Sequence, residues 1–217
     1  MLNRILRPAI FAAVFLGAFR AGASQPKLVI GVYNSAGVPS KVLQAAVLLA
    51  HETFGAAGLE TEWRIRDGGQ TDSPDDLVVC ILPRISPNVG SRYALGATEF
   101  EKGTGRALRA EAFYGAVQEI TYSQQQAIVL LSNVIAHEVG HLLLGRAHAE
   151  RGLMSPDWAG SVREIAQRIT FRFDPDEVRR LRASAKELRM VAGLRMGIAQ
   201  ERPDSGLPES VKKGMPR

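Results

Sequence analysis

The stretch HEVGHLLLGRAH, His137 to His148, holds three of the four histidines in the chain. Imidazole is the commonest protein ligand for transition metals, so this crowding raises a question of chemistry. On an α-helix, residues four apart lie about 40° around the axis and about 6 Å along it. His137 and His141 therefore project from one face on successive turns, close enough for both rings to reach one ion. Glu138 sits at the edge of that face, where a carboxylate can approach a water on the metal without ligating it, as a general base must. HEVGH thus fits the pattern H-E-x-x-H, two ligands and a base. A catalytic zinc takes three protein ligands and keeps one position open. His148 is the natural third, because Gly145 lets the chain turn back toward the helix.

A metal helix needs a start, a stop and something to lie on. Ser123 followed by Gln126 is a capping-box signal ahead of the apolar run AIVLLSNVIA, so the pattern predicts a helix from about Gln124 to about Leu144, ended by Gly145. Ile128, Leu131, Ile135 and Leu142 are its expected packing face. Upstream, KLVIGVYN reads as a strand. SKVLQAAVLLAHETFGAAG reads as an amphipathic helix burying Val42, Leu43, Ala46, Leu49, Ala50, Thr53 and Phe54. LETEWRIR alternates as a half-buried strand, and LVVCILPRI is apolar enough for a central strand. The acidic stretch DGGQTDSPDD between these two strands is expected to be a solvated turn. YALGATEF through RAEAFYGAVQEI is expected to supply one or two further strands, with a hairpin or bulged edge between them. Asp174, Pro175 and Glu177 open a last helix with Val178, Leu181 and Leu188 as its stripe. Beyond Gly193 the periodicity fades among prolines and charges.

The first 23 residues read as an export signal, with Arg4 and Arg7, an apolar run of about a dozen residues and the small residues of AGA at 21–23. That run is shorter than the roughly 18 apolar residues of a membrane span. The expected organisation is a signal at 1–23, one catalytic domain at 24–192 and a flexible tail at 193–217. Such a chain is secreted or periplasmic, with no stable membrane association once the signal is cleaved, and it acts as a monomer. Cys80 is the only cysteine. No disulfide framework is possible, and its apolar surroundings read as those of a small buried hydrophobe. The net charge of +5 comes from scattered arginines without aromatic interleaving, a solvated basic surface and not a nucleic-acid footprint.

HEVGHLLLGRAH followed by GLMSP resembles the metzincin zinc endopeptidases, whose signature is H-E-x-x-H-x-x-G-x-x-H with a Met-turn beneath the metal. Within them it looks most like the matrixin branch and short bacterial secreted relatives. The resemblance implies an α+β, zincin-like fold: a mixed twisted sheet with a backing helix, an active-site helix and a C-terminal helix. It implies Zn2+ on His137, His141 and His148, a structural Met154, and Glu138 as general base for a zinc-activated water that hydrolyses peptide bonds of a peptide or protein substrate. By analogy, ALGAT at Ala94–Thr98 stands where such enzymes place a substrate-pairing edge strand. The sequence departs from the signature in one respect. Gly145 falls eight residues after His137 and His148 eleven, each one later than in the family pattern, which leaves a later carboxylate, Asp157 or Glu164, as an alternative third ligand. The competing reading is an exported zinc-binding protein with a structural or vestigial site and no peptidase activity, for which His51 is the conceivable fourth ligand.

Overall fold

Branched apolar side chains fill two short runs early in the chain, and both become inner strands of one sheet. The structure, a computed structural model, describes residues 27–68, 75–105, 107–156 and 171–200, with side chains at 108 and 192–200 outside that description. Its elements are β1 (Leu28–Asn34), α1 (Ser40–Ala56), β2 (Thr61–Asp67), β3 (Leu77–Leu82), β4 (Gly96–Phe100), β5 (Ala107–Phe113), α2 (Tyr114–Ile120), α3 (Gln124–Leu144) and α4 (Pro175–Gln200). The protein is α+β among these residues. Five strands form one mixed sheet in the order β2-β1-β3-β5-β4. β1, β2, β3 and β5 run parallel, while β4 pairs antiparallel with β5 at one edge, with a register shift at Glu99/Phe100.

One face of the sheet carries α1 and α3, which also pack on each other. Leu28, Ile30 and Val32 of β1, Val79 and Ile81 of β3, and Ala110 and Ala112 of β5 point into this layer and are fully covered. The alanines of β5 are small, so α3 can lie close to that end of the sheet. Val42, Leu43, Ala46, Val47, Ala50, Thr53 and Phe54 are the buried residues of α1. Val47 is buried where the pattern places Leu49, a shift of the apolar stripe toward β2, whose Thr61, Trp63 and Ile65 lie beside Val47.

The helix α3 runs over the bounds its caps predict. Ser123 Oγ accepts from Gln126 N at 3.2 Å, and the Gln126 side chain reaches back to accept from Tyr122 N at 2.7 Å. Gly145 ends the helix at φ +81, its N–H donating to His141 O. By length and composition alone α3 could cross a membrane, but most of it is buried inside the fold as a core helix. Ala127 and nearly every residue from Leu130 to His141 are buried, because the sheet, α1, α4 and the segment after Gly145 enclose the helix on more than the one predicted face.

Three expectations differ from the structure. Tyr114–Ile120 is the helix α2 and not a continued strand. Tyr114 and Val117 are buried three residues apart, and Gly115 lies directly against the Pro83 carbonyl, where a Cβ would have no room. The acidic stretch is no plain solvated turn at its end. The Asp75 side chain is fully covered beneath Arg64 and Arg66 and lies against Gly31 of β1; Asp76 Oδ2 accepts from Val29 N at 2.9 Å. Two arginines on β2 supply the charge that lets a carboxylate be buried there. Finally, α4 continues past Gly193 to Gln200. The signal segment and residues 201–217 lie outside the described residues.

α4 is fixed at its start by a reciprocal cap: Asp174 Oδ1 accepts from Asp176 N and Glu177 N at 2.8 Å, and Glu177 Oε2 accepts from Asp174 N at 2.8 Å. Arg182 Nε then donates to Ala57 O at 2.8 Å, tying the helix to the loop between α1 and β2. Asp174→Ala is expected to cost about 1 kcal/mol, seen as a lower urea midpoint at unchanged slope.

Candidate metal centre

The end of α3 and the turn that follows it aim the three imidazoles by a single device. His137 Nδ1 donates to Leu153 O at 2.7 Å, and His141 Nδ1 donates to Gly145 O at 2.8 Å. A main-chain carbonyl can only accept, so both Nδ1 atoms carry the proton and, in the neutral ring, both Nε2 atoms carry a lone pair. Burial lowers the His137 pKa from 6.5 to about 4, partly opposed by the Leu153 hydrogen bond and aided by His141 and His148. His141 is lowered as well, with burial the largest cause. Both rings are therefore neutral near pH 7.

Those lone pairs face one another. His141 Nε2 lies 3.1 Å from His137 Nε2 and 3.1 Å from His148 Nε2. Between His137 and His141 no proton is available to bridge the gap, so the arrangement is repulsive by itself and is satisfied by a cation. The three ligand atoms lie within 4.8 Å of one another, close enough to hold one metal ion. The donor set of three imidazoles fits a transition metal such as zinc. His148 is the exposed member of the three, which keeps one side of the centre open to solvent.

The extra residue in LLLG is taken up after the helix. Gly145 breaks the backbone, and Ala149 N donates to Met154 O at 2.9 Å, closing the loop that carries His148. Leu153 N donates to Arg172 O at 3.0 Å. Met154 is buried with its sulfur against Gly140 of α3; a Cβ there would meet Sδ at 2.5 Å and Phe173 at 3.2 Å. The histidines thus rest on a turn that is itself seated on the chain leading into α4. Asp157 and Glu164 lie outside the described residues. His51 stands apart on α1, its Nδ1 2.9 Å from Thr61 Oγ1.

Glu138 is buried on the other side of the motif, against the edge strand. Thr98 Oγ1 donates to it, 2.9 Å from Oε2 and 3.1 Å from the main-chain oxygen. Gly96 leaves room for the same carboxyl, since a Cβ there would lie 2.6 Å from Oε1. Burial pushes the Glu138 pKa up to about 8; the Thr98 hydrogen bond opposes the rise and the Glu111 charge adds to it. A cation on the histidines favours the carboxylate and acts against burial. A cleft of about 520 Å³ opens over these groups, lined by Glu138 and the three histidines, with Thr98 and Phe100 along its β4 wall. The partners of Glu138 were not legible in the sequence: Thr98 lies 40 residues away and carries no local signal of the bond.

In comparison with known proteins, the sequence matches no protein-family model and no curated protein.

The buried carboxyl has a consequence for the metal-free protein. Unfolded, Glu138 titrates near 4.5; folded, it titrates near 8. The folded chain therefore keeps a proton that the unfolded chain releases between these values, and stability falls as pH rises through that window. Glu138→Gln removes the penalty. It is expected to raise the melting temperature of the metal-free protein by at least about 5 °C at pH 8 and to change it little at pH 4.5. Equal shifts at the two pH values would mean that the carboxyl titrates in the folded chain as it does in the unfolded one.

Proposed function

We propose that the protein is a zinc-dependent metalloendopeptidase with a zincin-like fold, exported as a secreted or periplasmic monomer. The observation that carries this reading is the convergence of three imidazole Nε2 atoms on one point, with a buried carboxyl beside them at the floor of an open cleft. When bound, zinc supplies Lewis acidity that brings the pKa of water toward neutrality and polarises a carbonyl oxygen.

The remaining work falls to the chain. Glu138 takes the proton of the attacking water on a carboxylate oxygen and delivers it to the leaving amide nitrogen, which becomes the new amine. Thr98 holds Oε2 in place, so the base does not have to be ordered at the moment of reaction. Among the described residues β4 is paired on one side only; its other edge has main-chain donors and acceptors to offer an extended peptide. The alternative of a closed structural site gains no support here. Such a site takes four protein ligands, and among the described residues the metal-ligating group consists of three, one of them exposed.

Metal content and turnover test the reading together. Wild-type protein is expected to bind one zinc per chain, and His148→Ala to bind it far more weakly; tight zinc in the variant would move the third ligand elsewhere. Glu138→Gln should keep zinc while hydrolysis of peptides falls by about 10²–10⁴-fold, and full activity would remove Glu138 from the chemistry. Thr98→Val should lower kcat by about tenfold at unchanged KM, with Thr98→Ser restoring it. An unchanged kcat in the valine variant would make the Thr98 bond merely structural.

A further inference from the structure

The charges around the cleft bear on what kind of peptide it takes. Glu138 is the only carboxylate among the described residues that line it, and that group is buried against Thr98. Arg146, between the helix stop and His148, lines the same cleft. Its side chain is exposed, and its guanidinium carbon lies 4.2 Å from the ring centroid of Phe100, at the end of β4. Among the described residues no carboxylate pairs with it. A guanidinium laid on an aromatic ring therefore borders an opening that, among the described residues, has no exposed acid of its own.

A ring beneath a guanidinium fixes its plane and leaves its N–H fork directed at whatever enters. That fork matches a carboxylate in two-point geometry. Resting on the peptidase reading above, we propose that Arg146, held by Phe100, is a specificity residue that binds a carboxylate of the peptide substrate next to the scissile bond, so that the enzyme prefers acidic peptides. The carboxylate is that of a glutamate or aspartate side chain or that of a free peptide C-terminus, and the two sources separate by experiment.

The test uses zinc-loaded full-length protein and a peptide library read by mass spectrometry. One arm holds end-blocked peptides in which Glu or Asp is paired with Gln or Asn at each position. The other holds neutral peptides with free or amidated C-termini. Wild type is expected to cleave the carboxylate-bearing member of a pair about five- to tenfold faster. The preference should fall to about one in Arg146→Gln and only partly in Arg146→Lys, with zinc content of the variants unchanged. Preference in the first arm assigns a side chain, and in the second the terminus. Fluorescence anisotropy of the same peptide pairs on zinc-loaded Glu138→Gln protein should give the same ratio without turnover. Cleavage without acidic preference, or with a preference that survives Arg146→Gln, overturns the inference and leaves the peptidase reading standing. Failure of the wild type to cleave any peptide overturns both.

Discussion

The direction of two hydrogen bonds governs the metal centre. Because His137 and His141 each give their Nδ1 proton to a main-chain oxygen, their remaining nitrogens can only accept, and the fold presses them together at 3.1 Å. A polypeptide gains nothing from two facing lone pairs unless a cation lies between them. The surrounding structure is arranged to hold this tension. The helix stop supplies one carbonyl at Gly145, the turn at Leu153 supplies the other, and the bond from Leu153 N to Arg172 O anchors that turn. Phe173 continues the support, packing on Phe54 of α1 with ring centroids 5.2 Å apart.

The carboxyl follows a different logic. Glu138 is placed by the opposite edge of the sheet, where Gly96 makes room and Thr98 donates a proton. His137, His141 and Glu138 therefore belong to one helix but answer to different supports, the two imidazoles to the segment after α3 and the carboxyl to β4. Their pKa values are displaced in opposite directions by the same cause. Burial disfavours charge, so His137 and His141 are kept neutral and the acid is kept protonated until a cation arrives. A cation changes the sign of the problem for Glu138, since its field favours the ionised form.

Local chemistry made the metal helix readable. Ser123, Gln126 and Gly145 each act within a turn or two of their own position, and the helix they predict, Gln124–Leu144, is the one found. The same holds for Asp174 and Glu177 at the start of α4. Where the outcome depended on distant partners, the sequence was mute or misleading. Tyr114–Ile120 follows directly on a strand, and it is a helix because Tyr114 and Val117 are buried together and Gly115 fits against Pro83, partners outside the segment. Asp75 looks like a loop acid until two arginines from β2 close over it. Thr98 with Glu138, and Phe100 with Arg146, are pairings across the cleft, which no periodicity encodes. His148 occupies the middle ground: its type and approximate spacing marked it, but its place beside His141 depends on a loop closed by the Ala149–Met154 bond.

That loop changes what spacing between ligands means. His148 is brought beside His141 because the chain leaves the helix at Gly145 and returns to a fixed point on the turn below. The third histidine is indexed to where the loop closes, and the number of residues counted from the first two is free to drift. Geometry of this kind survives insertions that alter a signature written as fixed intervals. For such a centre, the invariant is a ring of contacts, His141 to Gly145, Ala149 to Met154, and Leu153 back to His137, and a linear pattern is only its projection onto the chain.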